Sequence, residues 1–563
     1  MQLGEFSLGY SALGEITDAG AKSPIAQVWD ADYGVVFLYR LTAFMRNVFG
    51  SWIVPLGTYP LATVPAEASV SGSTTLNFSD VSYISGPADS LISTPFEGVV
   101  DKGLRITRTL PSSPEASRRV NLDLGSFTLA NNDGEMDSNV ANFSVDGRRI
   151  QVLLGLETYK FENFFPIFTG RMIQWNNSMS AVSVKVRDEG YRLDVNLQSS
   201  LYDGSGGYNG GSDLTGKPRP VCFGQALNIA PPLINATSLV YQFHSRLASS
   251  VDAVYDRGAA LIGDGNDADY ATLIAAVIVT GHFRTCLALG LVRLGSTPSG
   301  LVTMDVKGDA QATYVSTAGE ITSRILQDFG GLLSTEIDTA AFSSFATAFP
   351  GIIGWYQGPE PILVSAVMDA IFGSCCGWWG AGYDGMVQCG RLTTPNAEAY
   401  TLALDELDVI NFEILDPLAG TFPPRYRQRV GYQKLWTTQQ DTDLAGAVTA
   451  SRRSYLSQEY RLTYAQDLTV PNSFLLATDP PPLVSLFYNS ADAQTLADAL
   501  LALYKVARQT IRVTVGLVGI AAKPGSSVLV TFPRLNTGSQ TPMLVMDVTL
   551  NADKRQVELI LWG

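Results

Sequence analysis

Short runs in which apolar and polar residues alternate recur along this chain, separated by clusters of turn residues. Residues 120–129 read VNLDLGSFTL, with apolar side chains at every second position, as a strand with one buried face requires. Asn131, Asn132, Asp133 and Gly134 follow as a strong turn, and a second turn at Asp146-Gly147 leads into residues 149–154. FTGRMIQW (168–175) and AVSVKVRD (181–188) are two further strands, and the succession predicts a small antiparallel barrel over residues 96–200. Residues 1–95 alternate in the same way, for example in VVFLYRL and STTLNFS, and predict a β-rich N-terminal arm.

The pattern returns at the other end. Pro524-Gly525 is a turn that opens onto residues 526–532, followed by MLVMDVTL (543–550) and QVELILWG (556–563). The two closing strands lie at one offset from their earlier counterparts (543 − 168 = 375 and 556 − 181 = 375), and the entry turn at a slightly larger one (524 − 146 = 378). This spacing predicts a second, related barrel at 511–563, with a three-residue loop change between the copies.

Between them, residues 201–310 hold a Gly-rich stretch centred on YDGSGGYNGGSDLTGKPRP, expected to be a flexible linker, and a mixed β insertion. Residues 311–420 predict an α+β unit. Its first helix, over 315–331, has a Thr317/Glu320 capping box, an apolar face of Ile321, Ile325 and Phe329, and a Gly330-Gly331 stop. A second helix at 361–372 precedes an aromatic hairpin turning at Asp384-Gly385. Residues 421–510 form a connecting region whose helix, at 491–507, carries Leu496, Leu500, Leu503 and Ala507 on one stripe. The fold class is therefore β-rich, multidomain α+β, with two small barrels bracketing a central α+β region.

Composition sharpens the picture. With 563 residues, 46% hydrophobic and 16% charged, the chain supplies several packed cores and is not a disordered scaffold. A net charge of −15 argues against a broad nucleic-acid surface, which needs clustered Lys and Arg. No secretory signal is expected at the start. Residues 35–55 are the most apolar early stretch, but Arg40, Arg46, Gly50 and Pro55 interrupt it, so no membrane span is expected. Five cysteines, an odd number, predict reduced, buried thiols.

Candidate chemistry is thin. Gly211 to Lys217 has most of a phosphate-loop spacing, but Pro218 stands where Ser or Thr should hold magnesium, and no helix can follow. His282 and Cys286 could share a helical face, and Cys375, Cys376 and Cys389 bracket the hairpin, yet no zinc-type spacing is present. A cysteine peptidase would need one of the two histidines, His244 or His282, beside a nucleophile, and neither has a recognisable setting. No G-x-S-x-G elbow occurs, and paired carboxylates leave no trace in sequence. No catalytic, cofactor or metal residue is therefore assigned. Trp355, Tyr356, Trp378 and Trp379 could stack on sugars, but aromatics beside helices more often fill cores or subunit contacts. The interface candidates are Trp355, Trp378, Trp379 and Tyr383.

Several runs, in order, resemble one family. Asp146-Gly147-Arg148 into RIQVLLG, then FTGRMIQW, then VSVKVRDEGYRLD, resemble the first domain of phage baseplate hub proteins. The helix in ITSRILQDFGG, followed by a helix and the hairpin with Trp378, Trp379 and Tyr383, fits their centre, and PGSSVLVTFPRL, MLVMDVTL and RQVELILWG are similar to their closing domain. LTGKPRPVCFGQALNIAPPL, VDAVYDRGAAL and RTCLALGLVRLG resemble stretches of tail-tip proteins from temperate long-tailed (siphovirus-like) phages and gene-transfer particles. The resemblance spans roughly residues 100–563. It implies a structural, non-enzymatic virion protein at the distal end of a tail, assembled in the host bacterial cytoplasm. It implies a homotrimer whose two barrels per subunit give a sixfold tail tube six docking faces. Implied partners are the tail tube or distal tail protein, other baseplate and central fibre proteins, and DNA in passage, with residues 1–95 as a tail-contact region. Some tail-tip proteins of the wider family carry iron–sulfur centres, for which cysteines are the usual ligands. A tail-borne cell-wall hydrolase and a receptor-binding adhesin are the alternatives.

Overall fold

The computed structural model describes residue 28 and residues 34–45, 73–113, 118–396, 398–532 and 540–563. The front of the chain supplies β1 (Val35–Met45), β2 (Ser73–Ser79), β3 (Val100–Lys102), β4 (Arg105–Thr109), β5 (Asn121–Leu124), β6 (Ser126–Ala130), β7 (Arg149–Leu156), β8 (Phe165–Asn177) and β9 (Ala181–Arg187). Seven of these make a first sheet in the order β2-β1-β7-β8-β9-β6-β3. The back supplies β10 (Tyr400–Leu404), β11 (Val409–Leu415), β12 (Thr510–Val515), β13 (Ser527–Val530), β14 (Thr541–Asn551) and β15 (Gln556–Trp562). They make a second sheet in the order β10-β13-β14-β15-β12-β11.

Alternation explains the strands. In β9, Val182, Val184 and Val186 are buried, and in β15 their counterparts Val557, Leu559 and Leu561 are buried. Phe127 and Leu129 of β6 likewise answer Val513 and Val515 of β12. The period of two places each set on one face, so a single-residue slip would turn the whole set to solvent. β1 is the exception: Val35 to Tyr39 are all buried, as suits a strand flanked by β2 and β7 with both faces covered.

The expected repeat is present and goes deeper than the sequence spacing. Arg149 pairs with Arg171 and Val152 with Phe168 across β7/β8, as Ser527 pairs with Leu544 and Val530 with Thr541 across β13/β14. A bulge interrupts β8/β9 between Met172 and Gln174, and another interrupts β14/β15 between Val545 and Asp547. A second shared irregularity lies where Val100 and Lys102 meet Leu129 and Thr128, and where Val409 and Asn411 meet Val515 and Thr514. Even the entry turns agree. Gly147, at φ 66°, donates to the Met172 carbonyl at 2.9 Å, and Gly525, at φ 83°, donates to the Val545 carbonyl at 2.8 Å. The loop changes differ from the expectation: β8 and β14 are offset by 541 − 168 = 373, because the β14/β15 turn is two residues longer. The copies also diverge at one edge, where β1 lies antiparallel to β7 but β10 lies parallel to β13.

Two expectations need correcting. Among the described residues neither sheet closes on itself, so each is a half-barrel and not a complete barrel. The Gly-rich stretch is not a loose linker. Arg219, 6% exposed, lies over the rings of Tyr202 and Tyr208 and donates to Tyr208 O, Asn209 Oδ1 and Gln242 Oε1, so the loop is wrapped round one guanidinium. Both sheets also extend past the expected module boundaries: β1 and β2 join the first, β10 and β11 the second. Residues 1–27, 29–33 and 46–72 of the expected arm lie outside the described residues.

The centre is α+β. A five-stranded sheet contains Val221–Ile229, Ala248–Asp256, Val302–Asp309 and Gly354–Gln357. Around it lie α1 (Ala318–Asp328), α2 (Thr339–Ala348), α3 (Val364–Ser374) and α4 (Ser490–Tyr504). α1 has the expected box: Thr317 Oγ1 accepts from Glu320 N–H, and Glu320 Oε2 accepts from Thr317 N–H. α4 ends at Tyr504, so Ala507 falls beyond it and is exposed. One apolar core runs through both outer sheets, and a second joins the helices to Leu544, Met546 and Trp562 of the second sheet. No helix among the described residues is long and apolar enough to cross a membrane.

Candidate functional site

The joint between the two repeats is bonded from both sides. β3 runs on into β4 and β5 into β6, making one antiparallel ribbon that begins in the first sheet and ends in the second. There β4 pairs along β14, from Asp547 opposite Thr109 to Asn551 opposite Arg105. The β14/β15 turn reaches back in exchange. Ala552 N–H donates to Leu104 O at 3.3 Å, Gly103 N–H donates to Asp553 Oδ1, and Arg555 meets Asp80 at 3.2 Å. Tyr39 Oη accepts from Leu104 N–H at 3.0 Å. A cleft of about 160 Å³ remains between Tyr39, Asp80, Asp101, Asp553 and Arg555.

Electrostatics follow from this burial. Burial raises the Asp80 carboxyl above its ordinary range, although Phe37 N–H and Arg555 both favour its charge. Asp547, 5% exposed, is raised by burial against hydrogen bonds from the Thr109 and Thr549 hydroxyls. Burial lowers the Arg108 guanidinium in the same ribbon, which sits 3.8 Å over the ring of Tyr383.

That contact brings in the aromatic hairpin, Gly377–Ala381 with Val387–Arg391, which turns at Asp384-Gly385 as expected. Trp379 is 1% exposed; its Nε1 donates to Asp369 at 2.8 Å, and its backbone bonds Arg118 and Val120 at the start of the ribbon. Trp378 and Tyr383 are half-buried, with Trp378 facing Gly525. Trp355 is buried edge-to-face on Trp436 at 5.2 Å, and Tyr356 lies 6.2 Å from the same ring. The structure thus places Trp378, Trp379 and Tyr383 beside the joint and Trp355 apart from it, in the central domain.

The chemical candidates are dispersed or sealed. His282 and Cys286 lie on a strand, His282–Cys286, where four residues span about 13 Å. The helical face they would need does not exist, and His282 is occupied with Asp264 at 2.6 Å. All five cysteines are buried and none is in a disulfide, and among the described residues no three His, Cys, Asp or Glu side chains gather as a metal site. The Gly211 to Lys217 stretch feeds a bridge between Pro218 and Leu201, not a helix.

Among the described residues, sequence reading missed one arrangement that looks catalytic. His244 sits between Cys222 and Asp309, and all three are fully buried. Its Nδ1 accepts from the Cys222 backbone N–H at 3.0 Å, and its Nε2 lies 3.4 Å from Asp309 Oδ2. The ring is therefore spent on a backbone amide, with no free nitrogen directed at the thiol. Burial and nearby Asp309 push the Cys222 thiol far up, away from the nucleophilic thiolate. Burial pushes Asp309 up too, but His244 and Arg246 outweigh it and hold the carboxyl below its usual range, with Arg324 at 2.6 Å. This is a buried ion cluster that ties a strand to α1, and a cysteine peptidase has no place there.

No family model and no curated protein matches the chain. Among solved structures it is similar to a tail protein from Neisseria meningitidis MC58, at 12% identity over 83% of this chain and 95% of that one, TM-score 0.33. It is similar to the 43 kDa tail protein of prophage MuSo2 from Shewanella oneidensis, at 10% identity over 83% and 94%, TM-score 0.33. A chain in the virion of a native gene transfer agent particle aligns at 13% identity over 66% and 91%, TM-score 0.39. These three solved structures are tail or virion proteins.

Proposed function

We propose that the chain is a structural hub at the distal end of a phage tail, with no catalytic role. The observation that carries this is the duplication: one polypeptide holds two five-stranded units with the same strand order and the same two bulges. Three copies would offer six near-equivalent faces, which suits a sixfold tube above and threefold parts below. The partners in this reading are the tail tube or distal tail protein, the other baseplate proteins and a central fibre, with Trp378, Trp379 and Tyr383 bracing the joint beneath them. The ring would line or close the DNA channel, and a net charge of −15 favours passage over retention. Native mass measurement tests the reading: three chains per particle are expected, and a dimer would sink it. Zymography on peptidoglycan should leave the gel uncleared, whereas a cleared band would favour the hydrolase.

A further inference from the structure

Within one chain the outer strand of the first repeat's ribbon is capped by a strand of the second repeat: Arg105 lies opposite Asn551 and Ile106 opposite Leu550. The repeat assigns a counterpart to each of these residues. Leu415 pairs with Thr510 as Ile106 pairs with Leu124, so Ile414 and Leu415 of β11 stand for Arg105 and Ile106. Val548 and Trp175 occupy the same place after the shared bulge, so Asn177 and Ser178 stand for Leu550 and Asn551. Among the described residues neither counterpart has a strand on its outer edge, although Asn131 Nδ2 donates to Asn177 Oδ1 and Ser178 O, and Asn177 Nδ2 donates to Asp137 Oδ1. β11 ends its sheet, and the far half of β8 pairs only with β9 among the described residues. Unpaired edges of this kind are templates for another strand. Each also carries bare apolar side chains: Ile410 and Ile414, 59% and 61% exposed, on one, and Ile173 and Met179, 40% and 96% exposed, at the other.

We infer that β11 of one copy pairs antiparallel with the end of β8 of a second copy, Ile414 opposite Ser178 and Leu415 opposite Asn177, repeating between chains the joint made within each. The pairing is short, because Pro417 has no N–H to extend it. The two edges differ, so the contact is head-to-tail and propagates until a ring closes. That the ring closes at three chains rests on the hub reading; the strand pairing does not.

Opposed side chains in an antiparallel pair lie within disulfide reach, whereas a residue four positions along the strand does not. The full chain carrying Ser178→Cys with Ile414→Cys, mildly oxidised, is expected to run as a covalent three-chain species on a non-reducing gel and as single chains after reduction. Ser178→Cys with Ile410→Cys is expected to stay uncrosslinked. Trimers by native mass in which the first pair stays reduced would overturn the inference and leave the hub standing. Crosslinked ladders that never close at three would keep the pairing and overturn the threefold hub. Chains that stay single overturn both.

Discussion

At the scale of single residues, the joint depends on a polar group placed where charge is costly. Asp547 is held between two threonine hydroxyls at the seam of the repeats, and burial lifts its carboxyl above the ordinary range. An acid raised by folding stabilises the fold while it is protonated. That contribution is complete below the unfolded value, about 3.9, and is lost as pH rises through the higher folded value. Asp547→Asn keeps an acceptor for the hydroxyls and removes the charge. Its thermal midpoint is expected to exceed the parent's by about 2 °C at pH 7, a modest gain for a chain this long, and to converge with it near pH 3 in calorimetry. None of this was legible in sequence, since buried acids such as Asp547 and Asp309 have the same letters as surface ones. His244 shows the complementary failure: its partners Cys222 and Asp309 are distant in sequence and only the fold brings them together.

At the scale of elements, regular alternation predicted well where one face is buried and the other is not. β9, β15 and β6 read directly as strands, and the entry turns at Gly147 and Gly525 were correctly matched. The Thr317 box fixed the start of α1 for the same reason: its chemistry is local. α2 was missed because its apolar residues, Phe342 and Phe345, are diluted by Ala, Ser and Thr, and its cap is a lone Asp338. β4, with the sequence RITRT, was missed because only one of its two partners, β5, is near in sequence; the other, β14, lies more than four hundred residues away. The paired glycines make a like-for-like test. Gly147→Ala at positive φ is expected to cost about 1 kcal/mol from backbone strain alone. Gly525→Ala is expected to cost about twice that, because a Cβ there would sit 3.2 Å from Trp378 Nε1, whereas nothing lies within 4 Å at Gly147. Urea midpoints of the two variants measure the difference, and equal losses would mean that Trp378 does not press on the turn.

For the molecule as a whole, the expectation of two separate barrels gives way to two half-barrels that complete each other. The sequence offset pointed to the duplication but not to the exchange, in which a ribbon from the front finishes a sheet at the back. Chain truncation before residue 508 removes β12 to β15 and leaves β4 with β5 alone, without its β14 neighbour. Such a fragment is expected to be largely insoluble, as fractionation of expressed material would show; a soluble, folded fragment would mean that the front sheet stands alone.

The exchange of strands also sets a schedule for synthesis. β4 leaves the ribosome more than four hundred residues ahead of Asp547 to Asn551, which cover it. Contacts so distant along the chain form slowly, and an uncovered strand is prone to wrong pairing while it waits. The front of this protein must therefore wait through the synthesis of more than four hundred residues with one seam unsewn, and Asp547 to Asn551 act as the fastening that commits it.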